Sequence, residues 1–246
     1  MPTYGRVGLI TELPLGIFFK EVFMFERMIS LIGKDKFSKL QTTSVLVVGI
    51  GGVGGYALEA LARSGIMNIS IIDYDKIEIS NLNRQIISSN DNIGHNKVDV
   101  AKERVLKINP DLKIFTFNEN LNKDNIDIIL ENKYDYIIDA CDTIDTKVLL
   151  IKKFLKYKYK LISCMGTANK TNPALLSITE LSKTNNDPIA KILRKKVKDL
   201  KINKKIPVVS SSETPIANKN LGTNSYIPGI AGLLCASYVI NDITKK

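Results

Sequence analysis

The sequence predicts an α/β fold of the Rossmann-like kind: a mostly parallel sheet with helices on both faces, extended by antiparallel strands in the C-terminal third. Three observations carry this. Apolar, β-branched runs of strand length (SVLVVG, NISIID, KIFTFN, YDYIIDA and KLISCMG) alternate with stretches of helical periodicity as far as Gly166. A glycine-rich turn, Gly49-Ile50-Gly51-Gly52-Val53-Gly54, joins the first strand to the first core helix. Beyond Gly166 the rhythm changes: ALLSITEL and IPVVSS read as strands on either side of a basic helix.

Taken in order, residues 1–24 show no periodicity and lack the basic start and clean apolar core of a signal peptide, so they read as a loosely ordered extension. FERMISLIGKDKFSKL, from Phe25 to Leu40, has helical spacing broken at Gly33. The first strand follows, then a helix over 53–64 and a second strand ending on Asp73. Next come the polar stretch YDKIEISNLNRQ, the tetrad Gly94-His95-Asn96-Lys97, and a helix over 98–108 that Asn109-Pro110 stops. A third strand, a short helix over DNIDIILE, a fourth strand ending on Asp139, a helix over 143–157 and a fifth strand complete the alternating part. The basic helix spans 188–200, residues 218–226 form a polar loop, and 228–243 read as a largely buried closing helix.

Composition narrows the class. The formal charge is +10 with a pI near 9.3. That balance suits a polyanionic partner such as RNA, and it equally suits a lysine-rich coding bias. Cys141, Cys164 and Cys235 are widely spaced with no CxxC pair, which argues against a disulfide framework or structural zinc and suits a reducing cytoplasm. No uninterrupted apolar run reaches the roughly 18 residues of a bilayer crossing, so no integral membrane segment is expected.

The glycine turn has the context of a dinucleotide-fold phosphate site: strand, turn, helix, then a strand whose terminal carboxylate lies 24 residues after Gly49. Gly49, Gly51, Gly52 and Gly54 let the backbone approach a phosphate. The positive end of the next helix then receives its charge, and Asp73 can accept hydrogen bonds from ribose hydroxyls. The glycines alone fit NAD or ATP. The choice comes from the polar residues downstream of Asp73: Asn81, Asn83, Arg84, Gln85, Lys97 and the run Asp139-Ala140-Cys141-Asp142 all fall at carboxyl ends of strands or just beyond them. Hydride transfer needs no such pair of cations; nucleotidyl transfer needs cations on phosphates and a carboxylate for Mg²⁺. Asp142 and Asp139 compete for that metal role, since either could instead cap the next helix. His95 reads as a loop residue rather than a general base.

These motifs carry a resemblance. GIGGVGG, IIDYDKIEISNLNRQ, GHNK and DACD, in that order on those elements, resemble the adenylating domain of the ubiquitin-activating, ThiF and MoeB superfamily, from Phe25 to the end of the chain. The resemblance implies one adenylating domain over 25–246, with ATP held by the glycine loop and by Asp73, Asp75, Asn81, Asn83, Arg84, Gln85 and Lys97. It implies that Asp73 takes the ribose, that Asn83, Arg84 and Lys97 touch phosphates, and that Asp142 binds Mg²⁺. It further implies that Arg27 reaches the ATP of a second subunit, hence a homodimer. LISCMGTANKTNP, ITELSKTNNDPIAKILRKKVK and VVSSSETP resemble, within that superfamily, the tRNA threonylcarbamoyladenosine dehydratases. That implies ATP-dependent cyclisation of the threonylcarbamoyl group on the adenosine 3′ of a tRNA anticodon, in the cytoplasm. It makes 167–246 the substrate side, with Lys170, Arg194, Lys195 and Lys196 toward the tRNA, and it leaves room for a sulfur-transfer or cysteine desulfurase partner. The alternative activity is adenylation of a ubiquitin-like sulfur carrier's carboxy terminus.

Overall fold

The computed structural model describes residues 15–218 and 220–245. Its centre is a seven-stranded sheet in the order β3-β2-β1-β4-β5-β7-β6, with β1 Ser44–Val48, β2 Asn68–Ile72, β3 Lys113–Phe117, β4 Tyr136–Asp139, β5 Lys160–Cys164, β6 Leu176–Glu180 and β7 Pro207–Ser211. Every neighbouring pair is parallel except β6–β7. The strand order reverses between β1 and β4: the chain winds outward through β2 and β3, then returns to the far side of β1. An open parallel sheet binds ligands in the crevice at such a switch point.

Two apolar layers sandwich the sheet because its strands are buried on both faces, as parallel strands must be. On one face Val45, Val47, Ile69, Ile71 and Ile138 pack under α1 (Leu15–Ile32), α2 (Lys34–Thr42), α3 (Gly54–Arg63), α4 (Lys97–Ile108) and α8 (Tyr226–Thr244). On the other, Leu46, Val48, Ile137, Leu161 and Val208 pack under α5 (Ile126–Leu130), α6 (Ile144–Lys156) and α7 (Pro188–Asp199). Burying each such side chain contributes roughly 1.5–3 kcal/mol.

The predicted elements are found, with one difference. Helix α1 starts at Leu15, so it is continuous across the boundary expected at residue 24; residues 1–14 lie outside the described residues. The antiparallel pairing expected in the C-terminal third is that of β6 with β7, and β7 joins the rest of the sheet parallel to β5. Helix α8 is long and apolar enough to cross a membrane by composition alone, with a mean hydropathy of 1.3. However, Ile227, Ala231, Cys235 and Val239 are wholly buried in the core shared with α3 and the sheet.

Candidate active site

The register sets the site. Val48 lies level with Ile72 on one side and with Asp139 on the other. Gly49, Asp73 and Ala140 therefore leave the sheet together at its carboxyl edge. Gly49 takes φ +87, and a Cβ there would meet the Ala140 carbonyl oxygen at 2.9 Å. At Gly54 a Cβ would meet the Gly49 carbonyl oxygen at 1.8 Å. Only glycine lets α3 start this close to the strand that precedes it. The first turn of α3 thus opens, uncapped by any side chain, into a cleft of about 490 Å³.

The wall formed by residues 49–97 is charged and tightly cross-linked. Asp73 is buried; its carboxylate accepts from the backbone N–H of Ile50 at 2.6 Å and of Asp75 at 2.8 Å. Burial pushes its carboxyl above the ordinary value of 3.8 despite those two bonds. Lys97, at the start of α4, is also buried, and its Nζ lies 2.6 Å from Asp75 Oδ2. Asn81 is buried and fixes the turn by accepting from the Glu78 N–H at 3.2 Å. Arg84 donates to the Ser80 carbonyl at 2.5 Å and to Asn83 Oδ1 at 3.0 Å, and it forms no ion pair among the described residues. Gly51, Gly52, Asp73, Asp75, Asn81, Arg84, Gln85 and Lys97 all line the cleft. Asn83 does not; its amide reaches across to the Thr223 carbonyl at 3.2 Å. His95 is an exposed loop residue whose carbonyl pairs with the Ile77 N–H.

After β4 the two candidate carboxylates part. Asp139 is completely buried, bonded to Lys147 Nζ at 3.0 Å and to Ser163 Oγ at 2.5 Å. Its position is structural. Burial works against the Lys147 ammonium, but Asp139 outweighs it and holds the charge. Asp142 is exposed and lines the cleft; among the described residues only the Thr143 hydroxyl donates to it, at 3.4 Å. Cys141 lines the cleft too, but burial and the neighbouring Asp139 push its thiol well up, away from nucleophile character.

The opposite wall departs from expectation. Lys170 does not face the cleft: it is buried, bonded to Asp187 Oδ2 at 3.0 Å and to the Gly166 carbonyl at 2.8 Å. Burying that ammonium unpaired would be prohibitive, and here Asp187 pairs with it and ties the loop together. Arg194 is likewise engaged, its guanidinium donating to the Thr184 carbonyl at 2.7 Å and to the Thr184 hydroxyl. Lys196 pairs with Asp145 at 3.3 Å, and Lys195 stays exposed. Arg27 is exposed on α1, outside the cleft. Sequence reasoning missed Lys147, since nothing along the chain marks it as the buried partner of Asp139. It also missed Leu121 and Leu221, which line the cleft and lie outside every motif, and did not single out Tyr74, Thr167 and Ile189 within theirs.

Among the described residues no cluster of three or more acidic, cysteine or histidine groups could enclose a metal. Asp142, exposed on the cleft wall, suits Mg²⁺, which commonly takes one or two carboxylates and fills its remaining positions with phosphate and water.

A doubly wound sheet with an open helix end, a buried carboxylate and two cations at one crevice defines the nucleotide-binding class of α/β domain. The chain belongs to the ThiF family, which matches residues 25–246. The tRNA threonylcarbamoyladenosine dehydratase of Bacillus subtilis (strain 168) is 37% identical over 240 residues, covering 90% of this chain and 94% of its own. Crystal structures of the E. coli tRNA N6-threonylcarbamoyladenosine dehydratase, TcdA, with ATP and with AMP superpose at a TM-score of 0.87. They share 31% identity and cover 90% of this chain and 94% of theirs. The adenylyltransferase and sulfurtransferase MOCS3 of Culex quinquefasciatus is 37% identical over 145 residues, covering 58% of this chain and 33% of its own.

Proposed function

We infer that the chain is an ATP-dependent tRNA threonylcarbamoyladenosine dehydratase, a cyclising enzyme of the adenylating kind. The observation that carries it is the cleft beside Gly49, Asp73, Arg84, Lys97 and Asp142, in a chain that matches such a dehydratase over nearly its full length. Substrate is the threonylcarbamoyl-bearing adenosine 3′ of the anticodon. Its threonine carboxylate attacks the α-phosphorus of ATP, giving an acyl-adenylate and pyrophosphate. A nitrogen of the same side chain then attacks the activated carbonyl, closing a ring and expelling AMP, which carries away one carboxylate oxygen. Closure is intramolecular, so high effective concentration supplies much of the rate.

Each residue has a role in this reading. The α3 N-terminus and the glycine loop receive phosphate oxygens, and Asp73 accepts from the ribose hydroxyls. Arg84 and Lys97 neutralise charge gathering on the phosphates, Lys97 exchanging Asp75 for phosphate oxygens. Asn81 holds the turn that presents Arg84, and Gln85 backs Gly51. Asn83 steadies Arg84 and tethers Thr223. Asp142 would hold Mg²⁺, which supplies further charge neutralisation. Arg27 extends from α1 toward the cleft of a second copy in a homodimer. Residues 25–246 act as one adenylating unit, with 167–246 on the substrate side, in the cytoplasm. No step uses sulfur, so a cysteine desulfurase system would be a partner and not a reactant.

Incubation with ATP, Mg²⁺ and threonylcarbamoylated tRNA should yield a nucleoside lighter by one water. An unchanged nucleoside, with pyrophosphate exchange stimulated by a ubiquitin-like carrier protein instead, would favour the sulfur-carrier reading that the partial MOCS3 match supports.

A further inference from the structure

We propose that the outer face of α6 and α7 is a track for the phosphate backbone of the tRNA anticodon stem, leading away from the cleft where the loop nucleotide reacts. The proposal rests on the tRNA reading above. It adds where, and by which arm, the RNA is held.

Both helices begin at the cleft. Thr143, which precedes α6, and Ile189, in the first turn of α7, line it. The two helices pack against each other. Leu150, Ile151 and Phe154 of α6 and Ala190 and Leu193 of α7 turn into one core. Lys196 of α7 meets Asp145 of α6. Past the end of α7, Lys204 Nζ sits 3.6 Å from the centre of the Phe154 ring and donates to the Phe154 carbonyl.

What remains outward is positive. Lys152 and Lys156 on α6, and Lys191, Lys195 and Lys198 on α7, are exposed, and none forms an ion pair among the described residues. Three nearby acids are already taken, Asp127 by Lys153, Asp145 by Lys196 and Glu180 by Lys183 and Lys205, which leaves Asp199 as the one exposed acid on α7. Between residues 191 and 205 the sequence holds eight basic side chains and one acid, Asp199. A merely solvated helix face mixes signs, as its i,i+4 neighbours attract; a one-signed face raises the local concentration of a polyanion.

The shape suits one strand of a nucleic-acid helix. Lys191, Lys195 and Lys198 recur at helical spacing and form a stripe. At about 1.5 Å per residue a twelve-residue helix such as α7 is about 18 Å long, enough to follow several successive phosphates. An anticodon loop placed in the cleft sends its stem outward, and this stripe starts at the cleft's rim. Helix α1, with Arg27, packs on the opposite face of the sheet, so a second copy joined there leaves the track open.

The test is the triple variant Lys191→Glu, Lys195→Glu, Lys198→Glu, assayed on two substrates: threonylcarbamoylated tRNA, and an anticodon-loop oligonucleotide bearing the same nucleoside but no stem. Unchanged ATP binding verifies folding. On tRNA the expected result is a KM raised tenfold or more with kcat held within about twofold. The salt slope of binding should shrink by about three, roughly one per lysine. The oligonucleotide should be indifferent to the change. Unchanged tRNA KM and slope would overturn the proposal, as would equal losses on both substrates, which would put these lysines at the reacting nucleotide. An unchanged tRNA KM with lost binding of an acidic protein would overturn it in favour of protein docking. If wild-type enzyme turns over tRNA, each of these results bears on the track alone; if it does not, the functional reading fails first.

Discussion

The two walls of the cleft use the same residue types to opposite ends. On the wall built from residues 49–97, Lys97 is paired with Asp75, whose side chain is 47% exposed, and Arg84 has only neutral partners. These cations can be handed to an incoming phosphate at small cost. On the wall built from residues 166–224, charge is spent on holding loops. Lys170 and Asp187 are a sealed pair. Glu213 accepts from the N–H groups of Thr171 and Asn172 at 3.0 and 2.9 Å, and Asn169 accepts from the Gly222 N–H at 2.7 Å. A cation beside a site is available to a ligand only if giving up its present partner leaves no buried charge behind.

The contrast is tested most strongly by exchanging the fates of two lysines. Lys97→Ala should cut dehydration about 10³-fold or more, the usual cost of losing a phosphate-directed cation. It should leave Tm almost unmoved, since Asp75 stays hydrated. Lys170→Met should do the reverse. It strands the Asp187 carboxylate in the interior, costing about 3–5 kcal/mol in denaturant unfolding, while kcat of the folded enzyme survives. If Lys170→Met instead abolished turnover with stability intact, the division between the walls would be wrong.

Two further changes sharpen it. Lys147→Met should destabilise by a comparable amount, about 3–5 kcal/mol, because Asp139 is equally sealed. Asp142→Asn should leave unfolding within about 0.5 kcal/mol of wild type, as for other surface changes, yet raise the Mg²⁺ concentration that half-saturates the reaction. Equal stability losses in both would erase the distinction between the carboxylates.

The smallest effect is one of pH. Burial raises the Asp73 carboxyl above 3.8, so the native state binds this proton more readily than the unfolded chain. Ionised Asp73 therefore costs stability at neutral pH, a cost relieved as pH falls through its native pKa. Nucleotide affinity should run the other way, weakening on acidification at a higher pH than an ordinary aspartate would give. Asp73→Asn should flatten that limb of the titration curve.

Much of this was legible in the sequence because it is local. The glycine turn, Asp73 and the strands through β5 announce themselves by runs of fixed length and by residues whose steric need is unique. The start of α1 was not legible, since LGIFFKEVFMFERMISLI is apolar nearly all round and shows no clear stripe. Lys170 looked like any loop lysine because its partner lies 17 positions on, across two turns and a strand. Asp139 and Asp142 were separated only by the family resemblance, and residue chemistry alone parts them once Lys147 is seen to close over Asp139. Local pattern shows where charge stands along the chain, and only packing shows which charge is already taken.

The claim that a carboxylate is adenylated in this cleft is tested most directly with isotope. Threonylcarbamoylated tRNA carrying ¹⁸O in both carboxylate oxygens is converted with unlabelled ATP, and the products are weighed. One ¹⁸O should appear in AMP, one should remain in the ring carbonyl, and pyrophosphate should carry none. Label in pyrophosphate or in water, or ADP as the nucleotide product, would contradict it.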